Sequence, residues 1–154
     1  MRPRAGDPAP DFRGTTTDGT EIGLADFRGT KLVLYFYPMD FTPGCTAQAC
    51  SLRDRNADIR AKGAQILGVS TQDAASHQRF TQAHRLNFPL LADADRSVAR
   101  AYGAIGGGGL FGFAQAMMGL ADRVTFIIDE QGTIAHVIGS PSVMNHAEEV
   151  LARL

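Results

Sequence analysis

The only two cysteines of this chain stand five positions apart in "PMDFTPGCTAQAC" (38–50), directly behind its longest apolar run. No other feature constrains the fold as strongly. "KLVLYFYP" (31–38) carries six consecutive apolar or aromatic residues closed by Pro38. A stretch apolar at every position predicts a strand covered on both faces, at the centre of a sheet. Thr42 then suits an N-cap and Pro43 the first helical position, so a helix is predicted over 43–62. Cys45, Ala49, Leu52, Asn56 and Ile59 alternate spacings of four and three and share one stripe of it. Gly63 supplies the stop.

Cys45 falls in the first turn of that helix, at a strand-to-helix turn expected to be exposed. Free backbone N–H groups and the positive end of the helix dipole there favour a thiolate over a thiol. A stronger push needs a cation as well. Cys50 is harder to place. Five helical residues give about 7.5 Å of rise and about 140° of net rotation, which sets the two Cα atoms about 8.7 Å apart. Disulfides seldom span more than ~7 Å between Cα atoms, so the pair cannot bond while the helix is intact. A bond would require the first turns to unwind, a poor staple but a workable switch. Cys50 can also be read as a small buried hydrophobe. A zinc site would need two further ligands, and His77, His84, His136 and His146 are dispersed without paired spacing, so no metal is expected.

Around this centre the chain reads as an α/β protein in one domain, 1–154. "DFRGTTTDGTEIGLADFRG" predicts an N-terminal hairpin turning at Asp18-Gly19. "AQILGVS" is a second apolar strand, Asp73–Leu86 a helix, "NFPLLAD" a short extended piece and Asp95–Tyr102 a short helix. "RVTFIIDEQGTIAHVIG" gives two strands joined at Glu130–Gly132, and "NHAEEVLARL" a closing amphipathic helix. That order predicts a central mixed sheet flanked by helices. With 15 basic against 16 acidic residues and no basic stripe, no nucleic acid and no membrane surface are expected as partners. The N-terminal residues lack the apolar run of a secretory signal, so a cytoplasmic, reducing setting is expected, where paired cysteines are more often catalytic than structural.

"PMDFTPGC" resembles the peroxiredoxin pattern Pro-x-x-x-Thr-x-x-Cys through Pro38, Thr42 and Cys45. "FYPMDFTPGCTAQACSLRD" is similar to the bacterioferritin comigratory protein branch, whose resolving cysteine has the spacing of Cys50. "GDPAPDF", "ILGVS", "FPLLAD" and "DRVTFIID" extend the likeness over nearly the whole chain. The resemblance implies a thioredoxin-like fold and a thiol peroxidase acting on hydrogen peroxide and organic hydroperoxides without cofactor or metal. It makes Cys45 the peroxidatic thiolate, oxidised to a sulfenic acid, and Cys50 the resolving thiol that closes an intramolecular disulfide. Thioredoxin or a similar dithiol would recycle it. Thr42 would bond thiolate and peroxide, Pro38 would shield the pocket, and Arg123 would supply the positive charge. A monomer or weak dimer is implied. Relatives commonly carry glutamate where this chain has Gln48, a departure expected to alter rate or peroxide preference. Phe41 reads either as pocket wall or as packing.

"GAIGGGGLFGFAQAMMGLAD" (103–122) holds a formal Gly-x-Gly-x-x-Gly through Gly107, Gly109 and Gly112. No apolar strand immediately precedes it, so a dinucleotide site is not expected. Phe111, Phe113, Met117 and Met118 beside glycines suggest a mobile apolar flap at the peroxide entrance or a self-association patch; a helix and loop packed on the core is the alternative. Two rival functions stay open. A thioredoxin-like disulfide reductase would normally use Cys-x-x-Cys. A redox sensor or holdase would expose apolar surface when the helix unwinds.

Overall fold

A computed structural model describes residues 2–106 and 109–154, with the side chains of residues 111 and 112 also outside the description. Its centre is β3 (Lys31–Phe36), the apolar run. β3 pairs in parallel with β4 (Ala64–Ser70) and antiparallel with β6 (Val124–Ile128). Alternation along this segment divides the core in two. Leu32, Leu34 and Phe36 enter one cluster, Val33, Tyr35 and Tyr37 the other, all at most 1% exposed.

The hairpin of β1 (Arg13–Thr16) and β2 (Glu21–Gly23), together with β5 (Leu90–Ala92) and β7 (Ile134–Ile138), completes a mixed sheet ordered β2-β1-β5-β4-β3-β6-β7. α1 (Pro43–Asp54), α2 (Asn56–Ala61), α3 (Ala74–His84) and α6 (His146–Leu151) contribute to the second cluster. α4 (Ser97–Ala101) and a 3-10 turn (Leu24–Phe27) contribute to the first. The turn was not expected from the sequence.

One expectation needs correction. The helix read over 43–62 is interrupted at Arg55, whose N–H bonds the Leu52 carbonyl at 3.3 Å and whose φ of −112° leaves the helical range. The buried stripe nevertheless survives, because Asn56 and Ile59 remain on the core side. Within the glycine-rich segment, Gly109–Met117 forms a helix, α5, in keeping with the helix-and-loop alternative. It closes with the Leu120 N–H on the Gln115 carbonyl at 2.9 Å. Gly107 of the glycine motif lies outside the described residues, as does the Phe111 side chain. No helix among the described residues is long and apolar enough to cross a membrane.

Candidate active site

The ladder between β3 and β6 builds the site. Phe36 pairs with Val124, so the residue preceding β6, Arg123, arrives beside the C-terminal end of β3 and the first turn of α1. There Arg123 Nη2 donates to Cys45 Sγ at 3.3 Å and Nη1 to Gln48 Oε1 at 2.7 Å. Gln48 lies three residues beyond Cys45, on the same helical face. It is wholly buried, and its Nε2 finds no partner among the described residues. Flipping the amide would turn that NH₂ against the guanidinium, donor to donor, so the orphan is inherent in this pairing. An unmet buried donor costs about 1–3 kcal/mol.

Gly44 admits the arginine. A Cβ on it would stand 3.2 Å from Arg123 Nη2. Pro38, Met39, Thr42, Gly44, Arg123 and three side chains around α5 (Ala114, Gln115 and Met118) enclose, with Leu120, a cavity of about 390 Å³. The structure thus brings Pro38, Thr42 and Arg123 to one cavity and Arg123 to Cys45.

Cys45 is only 1% exposed, against the expectation of an open turn. It is not part of the cavity wall; Thr42 and Gly44, which are, shortly precede it in sequence, and Arg123 touches its sulfur. Thr42 occupies the N-cap position without capping by its side chain, and its hydroxyl donates to the Met39 carbonyl at 3.0 Å. Its remaining lone pairs can only accept. Cys50 is half-buried and absent from the apolar cluster that holds Cys45, as net rotation along α1 requires. Both thiols are free.

Beneath the turn before α1 lies a polar network that the sequence did not reveal. Asp40 Oδ1 accepts from the Tyr37 hydroxyl at 2.6 Å, and Oδ2 accepts from Ser76 Oγ at 2.7 Å and faces His77 Nδ1 at 2.6 Å. Burial pushes the Asp40 carboxyl up, but the bonds from His77, Tyr37 and Ser76 outweigh it, and the carboxyl sits below its usual range. Phe41 follows in the left-handed region with φ +68°, a conformation costing a non-glycine residue about 1–3 kcal/mol. Its ring packs on Phe80 of α3 at a centroid distance of 5.2 Å and is absent from the cavity wall.

Residues 5–137 match the AhpC/TSA family. The chain belongs to that family. As an AhpC/TSA protein it is 39% identical to peroxiredoxin Bcp of Escherichia coli K12 over 96% of this chain and 93% of the relative. The peroxidoxin BcpB structure from Mycobacterium tuberculosis superimposes with a TM-score of 0.84 at 34% identity, covering 97% of this chain and 95% of that one. The Xanthomonas campestris bacterioferritin comigratory protein, solved to explain its alkyl peroxide reduction, superimposes at 0.81 and 31% identity, over 92% and 88% of the two chains. The AhpC/TSA sheet and helices described above are therefore those of a thioredoxin-fold peroxiredoxin.

Proposed function

We propose that this peroxiredoxin, a thiol peroxidase, reduces hydrogen peroxide and organic hydroperoxides with Cys45 as the attacking sulfur. The observation that carries the assignment is the Arg123 guanidinium 3.3 Å from Cys45 Sγ, beside a cavity that Thr42 and Pro38 also line. The guanidinium and the open N–H groups of the first turn of α1 stabilise the thiolate. The peroxide approaches through the cavity. The Thr42 hydroxyl, its proton engaged by Met39, accepts from the peroxide O–H and aligns the O–O bond with the sulfur. Pro38 keeps bulk water away.

Sulfur attacks one oxygen, the O–O bond breaks, and Cys45 becomes a sulfenic acid. The departing oxygen leaves as alkoxide or hydroxide, its charge met by Arg123, and takes up a proton to give alcohol or water. Unwinding of α1 then lets the Cys50 thiol displace water from the sulfenic acid and form a Cys45–Cys50 disulfide. Thioredoxin or a similar dithiol, in a cytoplasmic setting, restores both thiols and is itself oxidised to a disulfide. An undivided domain acting as a monomer or weak dimer suffices for this cycle.

Stopped-flow mixing with peroxide tests the assignment. Cys45→Ser should abolish turnover, whereas Cys50→Ser should oxidise once and stall without dithiol-supported cycling. Normal turnover by Cys45→Ser would refute the assigned roles.

A further inference from the structure

The turn joining β3 to α1 carries the strained residue Phe41 between two residues of the cavity wall, Met39 and Thr42. Strain of this kind persists only where the surroundings over-determine it. Here the surroundings are polar and buried. Asp40 is 4% exposed and His77 0%. The Asp40 N–H donates to Gln72 Oε1 at 3.0 Å, and Gln72 Nε2 donates to the Pro38 carbonyl at 3.1 Å. Both Asp40 oxygens are occupied by Tyr37, Ser76 and His77.

His77 Nε2 faces the Leu91 carbonyl at 3.1 Å, an oxygen that only accepts. Nδ1 faces a carboxylate whose other neighbours are hydroxyl donors. The one buried ring bonds the carboxylate and the carbonyl at once and so links the turn to α3 and β5. None of these groups touches the cavity, and the proposed peroxide chemistry uses none of them.

We infer that Asp40 and His77 are a positioning pair: they clamp the 38–42 turn, strain included, so that Pro38 and Thr42 are held in register with the Cys45 sulfur. The inference rests on the thiol-peroxidase reading above. Releasing the clamp lets Phe41 relax toward ordinary backbone angles and moves Thr42, its neighbour, off the line of attack. The sulfur itself stays beside Arg123, because α1 and β6 hold that contact independently. Peroxide reduction, which needs the aligned wall, and simple alkylation of the thiolate, which needs only the sulfur, thus become separable.

The test compares the two rates in wild type, His77→Leu and His77→Asn, with Asp40→Asn as an independent variant. His77→Leu should slow Cys45 oxidation by hydrogen peroxide about 10- to 100-fold. Its alkylation by iodoacetamide should stay within about twofold, since that reaction needs the thiolate alone. His77→Asn, which keeps a donor near the Nδ1 position, should recover most of the peroxide rate. Equal peroxide rates in wild type and His77→Leu would overturn the inference, as would peroxide and alkylation rates falling in parallel. Should His77→Leu not fold, the same split in Asp40→Asn decides. A wild-type protein that alkylates but consumes no peroxide would instead overturn the peroxidase reading itself.

Discussion

Arg123 is shared between a sulfur and a neutral amide: Nη2 reaches Cys45 Sγ at 3.3 Å while Nη1 is held by Gln48 Oε1 at 2.7 Å. A neutral acceptor fixes the guanidinium without cancelling its charge, leaving that charge to act on the thiolate. A carboxylate at the same position would draw it away. We predict that Gln48→Glu slows Cys45 oxidation about 3- to 10-fold by weakening this electrostatic support. The same change exchanges the unpartnered Nε2 for an equally unpartnered carboxylate oxygen, so the melting temperature should not rise. Rapid-mixing kinetics and a melting curve check both halves.

Arg123→Lys tests the guanidinium itself. An ammonium offers a point charge without the fork that spans Cys45 and Gln48. Loss of a group stabilising transition-state charge typically costs about 10²- to 10³-fold, and Arg123→Met should reach that range. Arg123→Lys should recover only a minor part of it. Peroxide oxidation rates of the reduced proteins provide the measurement.

Gly44→Ala sets stability against activity. Alanine favours the helix over glycine by up to about 1 kcal/mol. Its methyl, however, would meet Arg123 Nη2 at 3.2 Å, so the guanidinium must yield by a few tenths of an ångström. We predict an unchanged or raised melting temperature together with a peroxide rate reduced about 3- to 10-fold, since catalysis is sensitive to such misplacement.

The proposed unwinding of α1 works against the docking of α6 on it. Ser51 Oγ, one residue beyond Cys50, accepts from the Ala147 N–H at 3.1 Å. Ser51→Ala leaves that N–H unmet and should cost about 1 kcal/mol of stability. Because the same contact holds α1 wound, disulfide formation after sulfenic acid should accelerate while the first oxidation does not. Following both phases by intrinsic fluorescence or quenched alkylation would separate them.

Acidification should loosen the same region. Burial pushes His146 below its usual 6.5, with Glu149 pulling partly the other way. Below 6.5 the unfolded chain takes up a proton that the folded chain still refuses, so stability is complete above 6.5 and declines as pH falls toward the folded value. Melting temperature should therefore drop on acidification through 6.5, and His146→Asn should flatten that slope. Asp40 acts in the same direction much lower, fading as pH falls below 3.8.

Local pattern carried much of the fold. The all-apolar stretch 32–37 announced β3, and the alternating spacing from Cys45 to Ile59 marked the buried stripe although α1 and α2 are separate. The break at Arg55 leaves no trace in that spacing, because the stripe continues across it. Without the family resemblance, Arg123 is an ordinary polar residue before a strand; the pairing of Phe36 with Val124 is what sets it against Cys45. Asp40 and His77 are distant in sequence and meet through the packing of α3, which no local motif encodes. Gln48 was visible as a departure, but its orphaned NH₂ depends on which atom faces the arginine.

Peptide mapping of the peroxide-treated protein under non-reducing conditions tests the central claim most directly. Reversible chemistry within α1 predicts a single linkage, Cys45 to Cys50 of the same chain, formed in step with peroxide loss and erased by a dithiol. Sustained peroxide consumption with both thiols recovered unlinked, or with Cys45 joined to a second chain, would contradict it.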